Sequence, residues 1–351
     1  MLIYLHIPFC DSKCYYCAFN SYVDKVYLKK RYMEAIIQQL KFELLVFKPK
    51  KKSIKSLFIG GGTPSTIEPQ LYDSFFKLIK PYLKEDAEIT TEANPNSASF
   101  SWLKGMKNLG VNRVSFGVQS FNEEKLKFLG RNHNQSLAIK AVKNAKKAGF
   151  ENISIDLIYG TSLDNEELLS NDLLIAKKLP INHLSAYSLT IEEGTKFQTK
   201  PSVAKDSLPL AKFFIDKIKS IGLAQYEISN FGKYQSIHNL GYWSQDDYIG
   251  IGSGAVGFLK NIRFYPSKEI ESYISNPLYR EKESLSKNDL HIERLFLGLR
   301  SKIGIPKDEF SIKELEKVKI LIESKNLEYK GDKIFNTNYL LSDELALFIT
   351  S

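Results

Sequence analysis

Cysteine is nearly absent from this 351-residue chain: there are three, all within eight residues, at Cys10, Cys14 and Cys17. An odd, tight cluster of this kind does not build a disulfide framework and points to metal or redox chemistry. Arginine is the second scarcity. Of 49 basic residues 42 are Lys and seven are Arg, and Lys is a point charge rather than a phosphate-gripping fork. The net charge of +9 therefore reads as a solvated Lys-rich surface, its runs (Lys48-Pro49-Lys50-Lys51-Lys52, Lys146-Lys147, Lys177-Lys178) short and scattered. Nucleic acid is not an expected partner. Each Arg beside a Gly or aromatic motif gains interest in proportion.

Long apolar runs are missing too. None reaches the ~18 residues of a membrane span. The opening stretch Met1–Cys10 lacks a basic n-region and a small-residue cleavage site, so it reads as a buried first strand. The expected location is the cytoplasm. Hydrophobic content of 43% and charged content of 25% exclude wholesale disorder. The length allows two domains, or one large domain with an appendage.

Short β-rich runs alternate with helical patterns. Strands are expected at Leu2–Ile7, Ser56–Ile59, Ala87–Thr91, Arg113–Val118, Ile153–Ile158 and His183–Leu189. Helices are expected over Tyr27–Phe47, Pro69–Leu83, Ser97–Leu109, Gln135–Ala148, Asn165–Lys178 and Lys205–Ile221. Repeated βα units imply a parallel sheet covered by helices. The pattern by itself leaves open a doubly wound sheet or a partial (β/α) barrel. Beyond Gly222 the regularity ends: Ala224–Ile228 is strand-like, Ser229–Tyr248 a polar aromatic loop, and Ile249–Phe258 rich in Gly. The expected domains are residues 1–266 and a smaller C-terminal unit, 267–351. In the latter, helices at Asp289–Leu299 and Ile312–Ser324 and a hairpin at Leu327–Thr337 with Gly331-Asp332 at its tip make a winged-helix-like module.

Cys10-x3-Cys14-x2-Cys17 directly follows the first strand, so three thiolates share one loop. Zinc takes four ligands; there is no fourth Cys, and His6 is the nearest residue that could complete such a site. A [4Fe–4S] cluster held by three cysteines keeps one iron open for a small molecule. Further polar candidates recur after successive strands: Gly60-Gly61-Gly62-Thr63-Pro64, Glu92, Gln119, Arg131 and Asp156. Glycines let backbone groups approach a ligand closely. Polar groups at the carboxyl ends of parallel strands form the usual binding face of α/β folds.

The cysteine spacing, with Tyr16 just before the last Cys, resembles the radical S-adenosylmethionine (SAM) family. The resemblance implies a [4Fe–4S] cluster whose open iron is chelated by the amino and carboxylate groups of SAM. It also implies a reductant whose electron splits the C–S bond. The chain is more narrowly similar to the oxygen-independent coproporphyrinogen III oxidase branch. The similarity rests on Tyr4-Leu5-His6-Ile7-Pro8-Phe9-Cys10, Gly60-Gly61-Gly62-Thr63-Pro64-Ser65, Gly117-Val118-Gln119-Ser120-Phe121 and Ile155-Asp156-Leu157-Ile158-Tyr159-Gly160. From it follow an α/β fold, a partial six-stranded (β/α) barrel of the radical SAM type, and SAM contacts at Tyr4, Tyr16, Gly61, Gly62, Thr63, Glu92, Gln119, Arg131 and Asp156.

The oxidase carries a fourth Cys two residues after the third and an N-terminal extension. This chain has Phe19 at that place and starts one residue before its first strand. Both features resemble the heme-chaperone branch instead, as does His238-Asn239-Leu240-Gly241-Tyr242-Trp243, an H-N-x-x-Y-W motif. An imidazole is a normal axial ligand of heme iron, and aromatic rings stack on a flat macrocycle. His238, Asn239, Tyr242 and Trp243 are thus expected to contact heme. The other reading is a loop plugged into the barrel mouth, with His238 capping a turn. The resemblance implies a heme carrier that passes heme to an acceptor protein. The alternative is the oxidase reaction, oxidative decarboxylation to protoporphyrinogen IX. RNA binding is a distant third.

Overall fold

The computed structural model describes residues 1–351. Six parallel strands stand in sequence order: β1 (Leu2–Ile7), β2 (Ile54–Gly61), β3 (Leu83–Ala93), β4 (Arg113–Gln119), β5 (Asn152–Tyr159) and β6 (His183–Ser188). Between them run α1 (Lys29–Phe47), α2 (Asp73–Ile79), α3 (Phe100–Leu109), the pair α4 (Glu123–Phe128) and α5 (Gln135–Ala148), and α6 (Glu166–Ala176). After β6 comes α7 (Leu208–Ser220). This is the partial (β/α) barrel expected. It does not close: β7 (Asn230–Gly232) adds antiparallel to β6 at one edge. Beyond β1 the sheet continues through β8 (Tyr248–Ile251), β9 (Gly257–Leu259), β10 (Ile262–Pro266) and β11 (Arg280–Ser284). No helix is long and apolar enough to cross a membrane.

Each barrel strand alternates, and that alternation sets the architecture. Ile3, Leu5, Leu57, Ile59, Ile89, Val114, Phe116, Ile153, Ile155 and Leu184 face the helices in one apolar core. Burying each such side chain stabilises the fold by about 1.5–3 kcal/mol. The opposite face is polar: Ser56, Glu88, Thr90, Arg113, Ser154 and His183 are all buried there. A buried polar side chain is tolerated only when hydrogen-bonded. His183 is held from both sides, Nδ1 by Ser154 Oγ at 2.7 Å and Nε2 by Tyr226 Oη at 2.7 Å. Arg113 reaches His183 Nδ1 at 3.3 Å and Thr90 Oγ1 at 3.5 Å.

Three sequence expectations are corrected. Pro69–Leu83 is not one helix: a 3-10 turn at Pro69–Tyr72 precedes α2, another at Lys80–Tyr82 follows it, and Leu83 already opens β3. Pro81 supplies no N–H and ends the helical ladder. Ala224–Ile228 forms only single bridges, Gln225 to Phe231 and Glu227 to Ser301, because its two ends tie to different elements. The polar stretch Ser229–Tyr248 is not a loop. It contains β7 and a short helix, α8 (Ile237–Trp243), whose N-cap Ser236 accepts a hydrogen bond from the backbone of Asn239.

The C-terminal unit packs α10 (Lys287–Leu299), α11 (Ile312–Glu323) and α12 (Ser342–Thr350) on a small sheet. That sheet has the order β12 (Ile305–Pro306), β14 (Lys333–Asn336), β13 (Leu327–Lys330), and the expected hairpin is its β13–β14 pair. Its core is separate, built around Leu295, Leu299, Val318, Leu321 and Ile349. The preceding helix α9 (Ile270–Ser275) sends Ile270 and Tyr273 into the barrel core, and β11 pairs with β10. The cores therefore divide near Leu285.

One carboxylate joins the barrel interior to α8. Glu88 accepts hydrogen bonds from the backbones of Ile237 (2.9 Å) and His238 (3.0 Å), and from Ser236 Oγ (3.2 Å) and Tyr234 Oη (2.9 Å). Truncating it strands these donors inside the protein. Glu88→Ala should therefore lower stability by about 3–5 kcal/mol. Thermal or urea unfolding checks this, and a loss below 1 kcal/mol would show that the contacts are replaceable.

Candidate functional site

The cysteine loop leaves the carboxyl end of β1 and is pinned at its base. Cys10 N–H donates to Tyr22 O at 3.0 Å, and Tyr22 N–H to Pro8 O at 2.7 Å. Cys10 is buried and Cys14 and Cys17 are half-buried. All three line one cavity of about 410 Å³. Burial holds the Cys10 and Cys17 thiols above their ordinary pKa range, so an electropositive centre is needed to make them thiolates.

Backbone freedom at two glycines shapes the cavity wall after β2. Gly61 has a φ of 113°, and a Cβ there would lie 2.4 Å from the His6 ring. A Cβ on Gly62 would meet Ile7 O and Phe9 O at 2.9 Å and Cys10 Sγ at 3.0 Å. Any larger residue would push the cysteine loop away. Gln119 also takes an unusual conformation, with φ of 67°, where the β4–β5 register slips between Gly117 and Gln119. That irregularity re-aims the side chain at the strand end.

A chain of hydrogen bonds spans the sulfurs. Thr63 Oγ1 donates to Cys10 Sγ at 3.4 Å and accepts from Asn94 Nδ2 at 2.9 Å. Arg131 Nη2 donates to Asn94 Oδ1 at 2.8 Å, and Nη1 to Cys14 Sγ at 3.3 Å. The Arg131 guanidinium, next to Gly117 O as well, sits where it stabilises a thiolate. Just below, α4 is anchored by the wholly buried pair Lys125–Asp164 (2.6 Å), with Lys125 Nζ also on Ile158 O at 2.7 Å. The turn after α4 delivers Gly130-Arg131 to the site.

At the floor, Glu92 accepts from Gly61 N–H at 3.0 Å, and Asp156 accepts from Ser115 Oγ at 3.1 Å. Burial, with the Asp156 charge adding to it, raises the Glu92 pKa to about 7. Such a carboxyl suits hydroxyl groups of a bound ligand better than another anion.

Eight of the nine residues expected around SAM line this cavity: Tyr16, Gly61, Gly62, Thr63, Glu92, Gln119, Arg131 and Asp156. Tyr4 does not. Its hydroxyl lies 3.0 Å from His6 Nδ1, and it lines a second cavity. His6 Nε2 is committed to Asn20 O at 2.8 Å, so both its nitrogens are engaged and it does not complete a zinc site. No three His, Cys, Asp or Glu side chains stand close enough to share a single metal ion. An iron–sulfur cluster offers each thiolate its own iron, and the orphaned Nε of Arg131 beside the sulfurs is a donor without a partner. The donor set fits a cluster.

The His238–Trp243 motif lies far from an open loop. His238 is 1% exposed. Its Nδ1 pairs with Ser56 Oγ at 2.8 Å, and its ring packs 5.1 Å from Phe58 and 4.7 Å from Tyr242. Burial and the Arg113 charge lower its pKa to about 3, so it is neutral. Nε2 has no partner, and His238 lines neither cavity. Asn239 and Trp243 are half-buried, and the indole N–H is also unpaired. Tyr242 alone of the four faces a cavity, the second one.

Residues 4–171 match the profile of the Radical SAM superfamily. The heme chaperone HemW of Bacillus subtilis (strain 168) is 34% identical, over 88% of this chain and 86% of that protein. The heme chaperone HemW of Escherichia coli (strain K12) is 40% identical, over 73% of this chain and 69% of that one. The chain belongs to the HemW family. Coproporphyrinogen III oxidase (HemN) from Escherichia coli, a radical SAM enzyme, shares its fold: TM-score 0.82, 20% identity, covering 99% of this chain and 89% of that one.

In this HemW-family chain, sequence reasoning missed Asn94 and Tyr187. Asn94 follows Glu92 in Glu92-Ala93-Asn94-Pro95 and bridges Thr63 to Arg131; its position two residues past a strand-end carboxylate was the available signal. Tyr187, on the polar face of β6, lines the cavity. Gly62→Ala should cut the iron and sulfide bound after anaerobic reconstitution several-fold while leaving far-UV circular dichroism unchanged. Full iron loading of that variant would mean that the Gly62 contact does not position Cys10.

Proposed function

We propose that this chain is a heme carrier built on a radical SAM scaffold. It would hold a [4Fe–4S] cluster on Cys10, Cys14 and Cys17, bind SAM at the carboxyl ends of the barrel strands, bind heme, and pass heme to an acceptor protein. The observation that carries the reading is the HemW likeness over nearly the whole chain, joined to a cavity that gathers all three cysteines and eight of the nine SAM candidates. Oxidase activity is not favoured. At the position of the oxidase's fourth Cys stands Phe19, 69% exposed at the cavity rim, which supplies no ligand.

When bound, the cluster supplies one-electron transfer to SAM, drawing on an external reductant. The residues around it do the rest. Gly61 and Gly62 leave room for a ligand's polar head, Thr63 and Arg131 hold the sulfurs, and Glu92 and Asp156 offer acceptors to hydroxyl groups. Pro64 and Tyr72 back this wall, the Tyr72 hydroxyl donating to Pro64 O at 3.1 Å. For heme, Tyr242 is the motif residue positioned for aromatic contact. His238 is a packing residue of the barrel interior in this conformation, and would reach iron only with α8 withdrawn.

The test is an anaerobic hemin titration followed in the Soret region, with coproporphyrinogen III turnover assayed on the same preparation. A saturable Soret change without protoporphyrinogen IX is expected. Turnover without saturable heme binding would overturn the reading. The Cys10→Ser/Cys14→Ser/Cys17→Ser protein should lose its iron and sulfide. His238→Ala should keep the Soret position and lose about 2–4 kcal/mol of stability through the cavity it leaves.

A further inference from the structure

The second cavity, about 580 Å³, lies between the barrel flank and the C-terminal unit. Its size is in the range of small-molecule sites. One wall is Tyr248 on β8 and Phe258 on β9, with ring centres 5.9 Å apart. The facing wall is Phe296 and Leu297 on α10. Tyr242 enters from α8, edge-on to Tyr248 at 4.8 Å. Aromatic surfaces from four elements thus border one space, and such surfaces suit a flat conjugated ligand.

Charge narrows the ligand further. In a chain where Lys outnumbers Arg 42 to seven, two of the eleven cavity residues are Arg and none is Lys. Arg263 on β10 is held by Glu293 and Glu283, and Arg300 at the end of α10 by Asp343. Both guanidiniums are partly exposed, so these pairs are weak and can be shared with an incoming anion. A planar guanidinium binds a carboxylate with two parallel hydrogen bonds, which Lys cannot match. The one carboxylate on the cavity wall, Glu293, is already paired with Arg263.

We propose that heme occupies this cavity, with its macrocycle against Tyr242, Tyr248, Phe258 and Phe296 and its carboxylates at Arg263 and Arg300. The inference rests on the heme-carrier reading and gives it a site. The wall formed by α10 belongs to a unit with its own core, so the site is bounded by two bodies that fold on separate cores.

The test is a titration of full-length reconstituted protein with hemin, and separately with metal-free protoporphyrin IX. Wild type is compared with Arg263→Gln/Arg300→Gln and with the cavity-filling Val256→Trp. Both variants should bind each porphyrin about tenfold more weakly or worse, as expected for losing charge-assisted hydrogen bonds or the space itself. Iron and sulfide content should stay at the wild-type level. Dependence on the arginines for the metal-free porphyrin is a readout that a general loss of structure at the cluster would not give. If wild type binds hemin and both variants bind it as well as wild type does, the cavity assignment is wrong and the carrier reading stands. If wild type shows no saturable binding, both fall. Should Val256→Trp fail to melt cooperatively, the arginine variant decides, and Phe296→Ala replaces the filling variant with the same expectation.

Discussion

Polar side chains packed inside a barrel must satisfy one another, and in this protein Glu88 is where that demand converges. Its carboxylate gathers four donors from Tyr234, Ser236, Ile237 and His238. It thereby caps α8 and draws the segment after β7 under the barrel. The neighbouring groups extend the network: Ser56 on His238, then Arg113, Thr90, Ser154, His183 and Tyr226. A barrel interior filled with aliphatic side chains would need no such plug. With a polar one, each missing partner costs roughly 1–3 kcal/mol, so α8 and the strands are held in a single arrangement.

That arrangement separates two ends of one sheet by chemistry. Toward the amino ends of the strands the interior is closed by α8 and its neutral histidine. Toward the carboxyl ends it opens into the cavity with the cysteines, where Glu92 and Asp156 line the wall and Arg131 joins sulfur to Asn94. The unpartnered Nε of Arg131 is the buried donor left to a ligand there. The second cavity is of another type, aromatic with paired arginines, and it exists because β8 to β10 prolong the sheet past β1 to meet α10. Tyr4 borders it, while the hydroxyl of Tyr4 touches His6, whose ring packs on Gly61 in the first.

The barrel was legible because each strand carries its own two-residue alternation. Leu57 and Ile59 against Ser56 and Phe58, or Ile153 and Ile155 against Ser154 and Asp156, state both the element and its two faces. The cysteine loop was legible because three ligands on one turn need no tertiary information to come together. The segment from Ala224 to Tyr248 was not. Its helix is only seven residues long, too short to form without outside support, and that support is a carboxylate some 150 positions earlier. His238 was expected to contact heme for the same reason: its sequence neighbours are polar and aromatic, while the atoms that bury it, Ser56 and Phe58, lie on a distant strand. Residues 267–284 read as part of the C-terminal unit because no apolar alternation marks β11, Arg-Glu-Lys-Glu-Ser, an edge strand exposed along most of its length.

By itself the sequence determined the periodicities, hence six βα units and a polar-lined interior, and it determined the three-thiol loop and the glycine turn beside it. These depend on residues close together in the chain, whose geometry local stereochemistry dictates. Only the tertiary structure decided that Asn94 links Thr63 to Arg131, that Tyr4 lines the second cavity and not the first, that His238 is sealed in, and that several elements enclose an aromatic space beside Arg263 and Arg300. Each of those depends on which side chains meet after the sheet curls and the C-terminal unit docks. A hydrogen bond or a cavity wall is a property of groups brought together from distant positions, and no local pattern encodes its distances.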